Sequence, residues 1–169
     1  MTHSIFKIKN SGYALIETLF YIALLTIFSI AIVNSIIVMT KSFRETAIQS
    51  ELQQGGAMLE RISREIKQAI SISTISASDL KINTKDSAGA AKTVEFLLSG
   101  SNLQLLENDA LTGNLNTSNL AVSNLVFTQI VTANGEAVKV SLTVTSTHDG
   151  LSRAYDFYDT VALRGSYGN

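Results

Sequence analysis

TLFYIALLTIFSIAIVNSIIVMT, residues 18–40, is the stretch that decides how this chain is built. It is 23 residues long and carries no charge. A helix that crosses a bilayer needs about 20 predominantly apolar residues, so the run is long enough. Directly before it stands Glu17, preceded by YALI (13–16) and a short leader, MTHSIFKIKNSG (1–12). A carboxylate at the edge of an apolar span is costly unless something pairs with it. What Glu17 pairs with therefore bears directly on function.

A cleaved secretory signal would have a shorter apolar core, of about 7–15 residues, with a small-residue cleavage site after it. Here the run is longer and no such site follows. The span is expected to stay with the mature protein. Lys7 and Lys9 precede it, and Lys41, Arg44 and Glu45 follow it. A short basic flank stays in the cytoplasm, which places residues beyond about 41 on the far side of the membrane.

The remaining composition narrows the class. Of 169 residues, 16% are charged and the net charge is −1, so no electrostatic case exists for a nucleic-acid surface. There is no Cys, hence no disulfide framework and no thiolate metal site. There is also no Pro. Beyond the first 40 residues, enough chain remains for one modest core.

After the apolar run, Phe43, Ala47, Ile48, Leu52, Leu59, Ile62, Ile66 and Ile70 recur in steps of three, four and seven. That is helical periodicity, and it predicts one helix from residue 13 to about 72. Glu51, Glu60, Arg61, Arg64, Glu65 and Lys67 are read as lying off the stripe. Gly55 and Gly56 fall where the stripe would continue. Glycine in a helix interior costs up to about 1 kcal/mol relative to alanine. Because the phase continues across the pair, close approach of another element is expected there rather than a break.

From residue 76 on, Ser, Thr, Asn and Gly become common and short alternating runs appear. LKIN (80–83), KTVEFLLS (92–99) and NLQLLE (102–107) read as strands, the last two joined through Ser99-Gly100-Ser101. Residues 108–120 read as a loop. LVFTQIVTA (125–133) and AVKVSLTVTS (137–146) flank Asn134-Gly135, a strong hairpin signal. Val138, Val140, Leu142 and Val144 share one face of the second strand. His148-Asp149-Gly150 marks a further turn before a last strand within residues 152–164. The expected fold class is α+β: a long N-terminal helix, its inner half transmembrane, packed through its outer half on an antiparallel sheet of about five strands. The expected segments are a leader (1–12), a transmembrane half-helix (13–40), an amphipathic outer half (41–75) and a sheet head (76–169).

Taken in order, a basic leader, Gly12, an aromatic, Leu15-Ile16-Glu17, an uncharged span, a continuing helix and an antiparallel sheet resemble the type IV pilin and pseudopilin family. Tyr13 stands where that family more often has Phe, and Ala14 where a hydroxyl residue is more usual. The resemblance implies that a prepilin peptidase cuts between Gly12 and Tyr13 and methylates the new amine of Tyr13. It implies that Glu17 meets that amine on a neighbouring subunit, and that Leu19, Ile22, Leu25, Ile30, Val33 and Ile37 serve first as membrane anchor and then as fibre core. LERISREIKQAI (59–70) and the closing VALRG (161–165) look like the J-type minor pseudopilins of type II secretion and the related minor pilins. The absence of Pro at the place of Asn34, where many major pilins have one, fits a minor subunit. The partners implied are other major and minor pilin-like subunits, the peptidase, the inner-membrane assembly platform and the membrane itself. The implied location is the bacterial inner membrane, head outside the cytoplasm, and then a pilus or pseudopilus.

Other readings of the same residues are open. Thr26, Ser29 and Asn34 are candidates for interhelical contact. His148, Asp149, Asp156 and Asp159 are read as solvated charges rather than calcium ligands, since Asp156 and Asp159 fall on opposite faces of a strand. Asn108, Asp109 and Asn114 are read as ordinary loop residues. No G-x-S-x-G, H-E-x-x-H or phosphate-binding glycine loop is present, and His3 and His148 stand apart from any catalytic pattern. The chain is expected to be no enzyme and to carry no cofactor or metal. The alternatives are a single-span binding module that never polymerises, and a competence-type minor pilin acting in DNA uptake. The near-neutral head speaks against direct DNA contact.

Overall fold

The computed structural model of the chain describes residues 11–133 and 135–166. Lys7, Lys9, His3 and Asn134 lie outside the described residues. The chain divides into two compact units, Met1–Phe43 and Arg44–Asn169. A single helix, α1 (Ser11–Gln68), runs from the first into the second. In the first unit its side chains from 13 to 43 are exposed on every face. An apolar helix surface of this kind is stable only against lipid or other apolar helices.

In the second unit α1 becomes one-sided. Ile48, Met58, Ile62, Ile66 and Ala69 are buried, while Gln53, Glu60 and Arg64 are exposed. Of the stripe expected from the sequence, Ile48, Ile62 and Ile66 are buried, Ala47, Leu52 and Leu59 are half-buried and Phe43 is exposed, while Met58 and Ala69 join it. Gly55 is buried on it, and a Cβ there would lie 2.9 Å from Phe157 Cε2. A Cβ on Gly56 would reach no nearer than 4.0 Å to that ring. The expected close approach is therefore made at Gly55.

The head contains eight strands in two antiparallel sheets, rather than about five in one. The first sheet has the order β1 (Ser71–Ile75), β2 (Asp79–Lys85), β3 (Ala91–Ser99), β4 (Asn102–Glu107), β5 (Ala110–Asn114). The second has the order β6 (Leu120–Thr132), β7 (Gly135–Ser146), β8 (Ala154–Ala162). One core joins both sheets to α1: Leu80, Ile82, Val94 and Phe96 from the first, Phe127, Val140 and Leu142 from the second, Ile62 and Ile66 from the helix. Both expected hairpins form, with Ser99 opposite Asn102 and Thr132 opposite Gly135, so Gly135 opens β7 rather than sitting in the turn as expected. Gly100 has φ +62°, a left-handed geometry natural to glycine. On β7, Val138, Val140, Leu142 and Val144 all face the core.

Three boundaries differ from the sequence expectation, one being the start of β6 at Leu120 rather than at residue 125. The helix ends at Gln68, and residues 71–75, read as the end of the helical segment, pair with β2 through Ser71 opposite Asn83. SISTI is β-branched enough to prefer the pleated pairing once an edge is available. The stripe's last step falls on Ala69, and Ile70 is exposed. Residues 108–120 are not wholly loop, because β5 pairs along the edge of β4. Asn108 and Asp109 make the intervening turn with φ of 52° and 66°. β5 has no alternating apolar pattern and is almost wholly exposed, so no burial signal marked it.

A bulge sets the phase of β6. Its register against β7 slips between Val122 and Asn124, so Val122 faces the core and so do Leu125 and Phe127. The extra residue turns a spacing of three into continuous inward facing.

Candidate functional site

The sequence places its candidate site residues at the N-terminal end of α1, and Tyr13, Glu17 and Tyr21 stand there on successive turns. Tyr13 and Glu17 are four apart on the helix and both are exposed. Tyr21, one turn further, donates its phenolic O–H to Glu17 Oε1 at 3.2 Å. This i,i+4 bond holds the carboxylate against the helix. It leaves most of the acid's accepting capacity free, since a carboxylate has about four acceptor positions. Gly12 lies within α1, immediately before Tyr13.

Leu19, Ile22, Leu25, Ile30, Val33 and Ile37 are all exposed. Four hydroxyl side chains along this stretch turn inward on their own backbone. Thr18 Oγ1 donates to Ala14 O at 2.7 Å, Thr26 Oγ1 to Ile22 O at 2.8 Å, Ser29 Oγ to Leu25 O at 2.8 Å, and Thr40 Oγ1 to Ile36 O at 2.9 Å. Each hydroxyl hydrogen is thereby spent within the helix. Thr26 and Ser29 can join a neighbouring helix only as acceptors. The result is a segment whose surface is largely apolar, interrupted by the exposed polar residues Asn34 and Ser35, with Glu17 near its start. Among the described residues a single helix, Tyr13–Gln68, is long and apolar enough to cross a membrane.

In the head, the residues weighed as metal ligands have other work. Asp149 is only 5% exposed and is not the solvated charge the sequence suggested. Its carboxylate accepts from the Leu151 amide at 3.1 Å, the Arg153 amide at 3.1 Å and Arg153 Nε at 2.8 Å. The Arg153 guanidinium holds it below the ordinary carboxylate range, and the two amides act the same way against the opposing effect of burial. Asp156 and Asp159 do fall on opposite faces of β8: Asp156 accepts from Thr143 Oγ1, and Asp159 accepts from Ser63 Oγ on α1. Asn108 Oδ1 accepts the Thr93 amide, and Asp109 pairs with Lys81. Among the described residues no three His, Asp or Glu side chains converge as metal ligands would.

Two polar residues of the head were misjudged or overlooked in the sequence. Glu51, read as lying off the apolar stripe, is 8% exposed and sits on it, with Oε1 2.5 Å from His148 Nδ1. Its Oε2 is buried without a hydrogen-bond partner among the described residues. The signal was in the spacing, because 48, 51 and 55 are one helical face. Asn116, within the segment read as loop, is also buried. Its Oδ1 accepts the Leu103 amide at 2.8 Å, and its Nδ2 donates to Leu120 O at 2.7 Å and Ser101 O at 3.1 Å. It ties the link between the sheets to β4 and β6. Both are structural.

No protein-family model matches this chain, and no curated protein or solved structure matches it either.

Proposed function

We propose that this chain is a minor pilin-like structural subunit, acting through polymerisation rather than catalysis. A prepilin peptidase removes residues 1–12 and methylates the amine of Tyr13. The assembly platform of the inner membrane then moves the subunit into a type II secretion pseudopilus or a type IV pilus, near its start or its tip. Leu19, Ile22, Leu25, Ile30, Val33 and Ile37 pass from lipid to the fibre core, where other pilin-like helices cover them.

The observation that carries this reading is Glu17, five residues after Gly12, at the head of a helix whose side chains are uncovered from residue 13 through residue 46. In a fibre core, an unpaired carboxylate would cost several kcal/mol, whereas opposite an ammonium it fixes axial register. The ammonium that fits is the amine of Tyr13 on the adjacent subunit, which is absent before cleavage. Tyr21, bonded to Glu17 across one turn, keeps the acid available for that pairing.

The experiment is Glu17→Gln, followed by separate assays of insertion, cleavage and fibre incorporation. The expected result is normal insertion and cleavage with incorporation greatly reduced. Wild-type incorporation of the variant would remove Glu17 from the assembly role.

A further inference from the structure

One face of the apolar helix is marked by a polar group without a partner. Thr18, Thr26, Ser29 and Thr40 each donate to the carbonyl one turn earlier. The neighbouring Asn34 and Ser35 side chains, both exposed, make no bond among the described residues. Asn34 weighs more, because its amide has two donor hydrogens and an acceptor oxygen to satisfy.

Where residues 18–40 cross a bilayer, Asn34 lies inside the hydrocarbon. It is six residues from Thr40 and sixteen from Thr18, which is about 9 Å and about 24 Å along a helix. Its amide hangs on a single methylene and reaches neither boundary. Water is absent at that depth, and an amide left bare in hydrocarbon is costly. A neighbouring helix is the remaining source of a partner.

That helix must offer both a donor and an acceptor at the same depth. A second copy, inserted in the same orientation, holds its own Asn34 there by symmetry, and two facing carboxamides satisfy each other. The spacing around Asn34 suits parallel packing. Apolar residues lie on every face of the span, so apolarity alone selects none. Counted from Asn34, Ile27 lies seven residues earlier, and Ala23, Ile30 and Ile37 complete alternating steps of three and four. In a parallel coiled coil these are the two sets of seam positions, and one asparagine in such a seam specifies register and oligomer state. Lys41 follows Asn34 by seven but lies past the apolar run, where its long stem carries the ammonium out to the headgroups.

We infer that the membrane-resident chain pairs in parallel with a second copy of itself through Asn34. The inference rests on the membrane-spanning part of the proposed function, and not on cleavage or on Glu17. It uses only residues of the span, so it holds for any placement of the head.

The chain has no Cys, so Ile30→Cys and Ile32→Cys each create a single thiol. The two isoleucines are almost equally exposed, at 58% and 57%. Around the helix, Ile30 stands about 40° from Asn34 and Ile32 about 160°. Full-length protein is reconstituted into phosphatidylethanolamine–phosphatidylglycerol vesicles at high lipid excess, isolated by flotation and oxidised with copper phenanthroline. The expected result is disulfide dimer forming at least about threefold faster at Ile30→Cys than at Ile32→Cys, and an Ile30→Cys rate lowered about threefold or more by Asn34→Leu. Leucine makes the span more apolar, so that loss does not reflect poorer insertion. Equal rates at the two positions, or a rate at Ile30→Cys that Asn34→Leu leaves unchanged, in protein that floats, overturns the pairing. Protein that fails to float overturns the membrane span, and the pairing with it.

Discussion

The Phe157 ring of β8 occupies the space that a side chain at Gly55 of α1 would need. A Cβ built on Gly55 would lie 2.9 Å from Phe157 Cε2, 3.1 Å from Phe157 Cζ and 3.4 Å from Val144 Cγ2. Strand and helix meet here at a distance only glycine permits, and the core between them is closed by an aromatic ring rather than by two opposed aliphatic side chains.

Gly55→Ala gains up to about 1 kcal/mol of helix propensity but loses about 1–3 kcal/mol to overpacking. Gly56→Ala gains the same propensity with ordinary contact, its nearest neighbour being 4.0 Å away. Urea unfolding should therefore show the two adjacent substitutions with opposite signs: Gly55→Ala destabilised, Gly56→Ala stabilised by about 0.5–1 kcal/mol. Equal effects would mean that Phe157 does not pack on Gly55.

Gly165 meets backbone where Gly55 meets a ring. A Cβ on Gly165 would run into the Ile70 backbone, 2.7 Å from its O, and the Gly165 amide donates to Ala69 O at 3.1 Å. Backbone at that distance cannot rotate away. Gly165→Ala should cost about 3 kcal/mol or more, seen as a lower urea midpoint with unchanged slope. It should be worse than Gly55→Ala.

Asn116 serves three backbone groups at once. Replacing it with Ala strands buried polar atoms, and about 2–4 kcal/mol of stability should be lost. Asn114→Ala, two residues away on exposed β5, should stay within about 0.5 kcal/mol. Chemical denaturation of both variants checks the contrast.

Asp149 gives the head a pH dependence of definite sign. Its carboxyl is held below the ordinary range by Arg153, so the unfolded chain binds this proton more readily than the folded one. The stabilisation is present above the unfolded pKa and fades as pH falls through the lower, folded one. Asp149→Asn should flatten the acid limb of the stability–pH curve and leave less stability at neutral pH. Asp79 acts in the other direction. Burial raises its carboxyl above the ordinary range, with Lys81 opposing, so Asp79→Asn should reduce the penalty of keeping that carboxylate charged at neutral pH. Thermal melts from neutral to acidic pH separate the two.

How much of this was legible in sequence follows the physics of each signal. The stripe on α1 and the alternation of Val138, Val140, Leu142 and Val144 are burial patterns that the packed head reproduces, whereas the apolar run was legible by its length and lack of charge alone and stays exposed. Gly55 was readable because a glycine inside a continuing stripe has few other reasons to be there. The division of the strands between two sheets was not readable: both sheets contribute the same alternation, and their separation depends on long-range contacts such as those of Asn116. The end of α1 was hidden because Ile66 and Ile70 keep helical spacing, although pairing of Ser71 with Asn83 takes the chain into β1. Glu51 was misplaced because its charge outweighed its spacing. At the N-terminal end the site residues were legible as a spacing, Gly12 to Glu17. The partner proposed for Glu17 belongs to a neighbouring subunit, which the fold of one chain does not display.

In the proposed assembly role, Glu17 acts with an amine created by cleavage before Tyr13. The intact mass of the protein extracted from membranes of its native host tests this most directly. The account predicts loss of residues 1–12 and the gain of one methyl group on Tyr13. A chain that retains residues 1–12 in the assembled membrane pool would contradict it and leave a non-polymerising, single-span protein in its place.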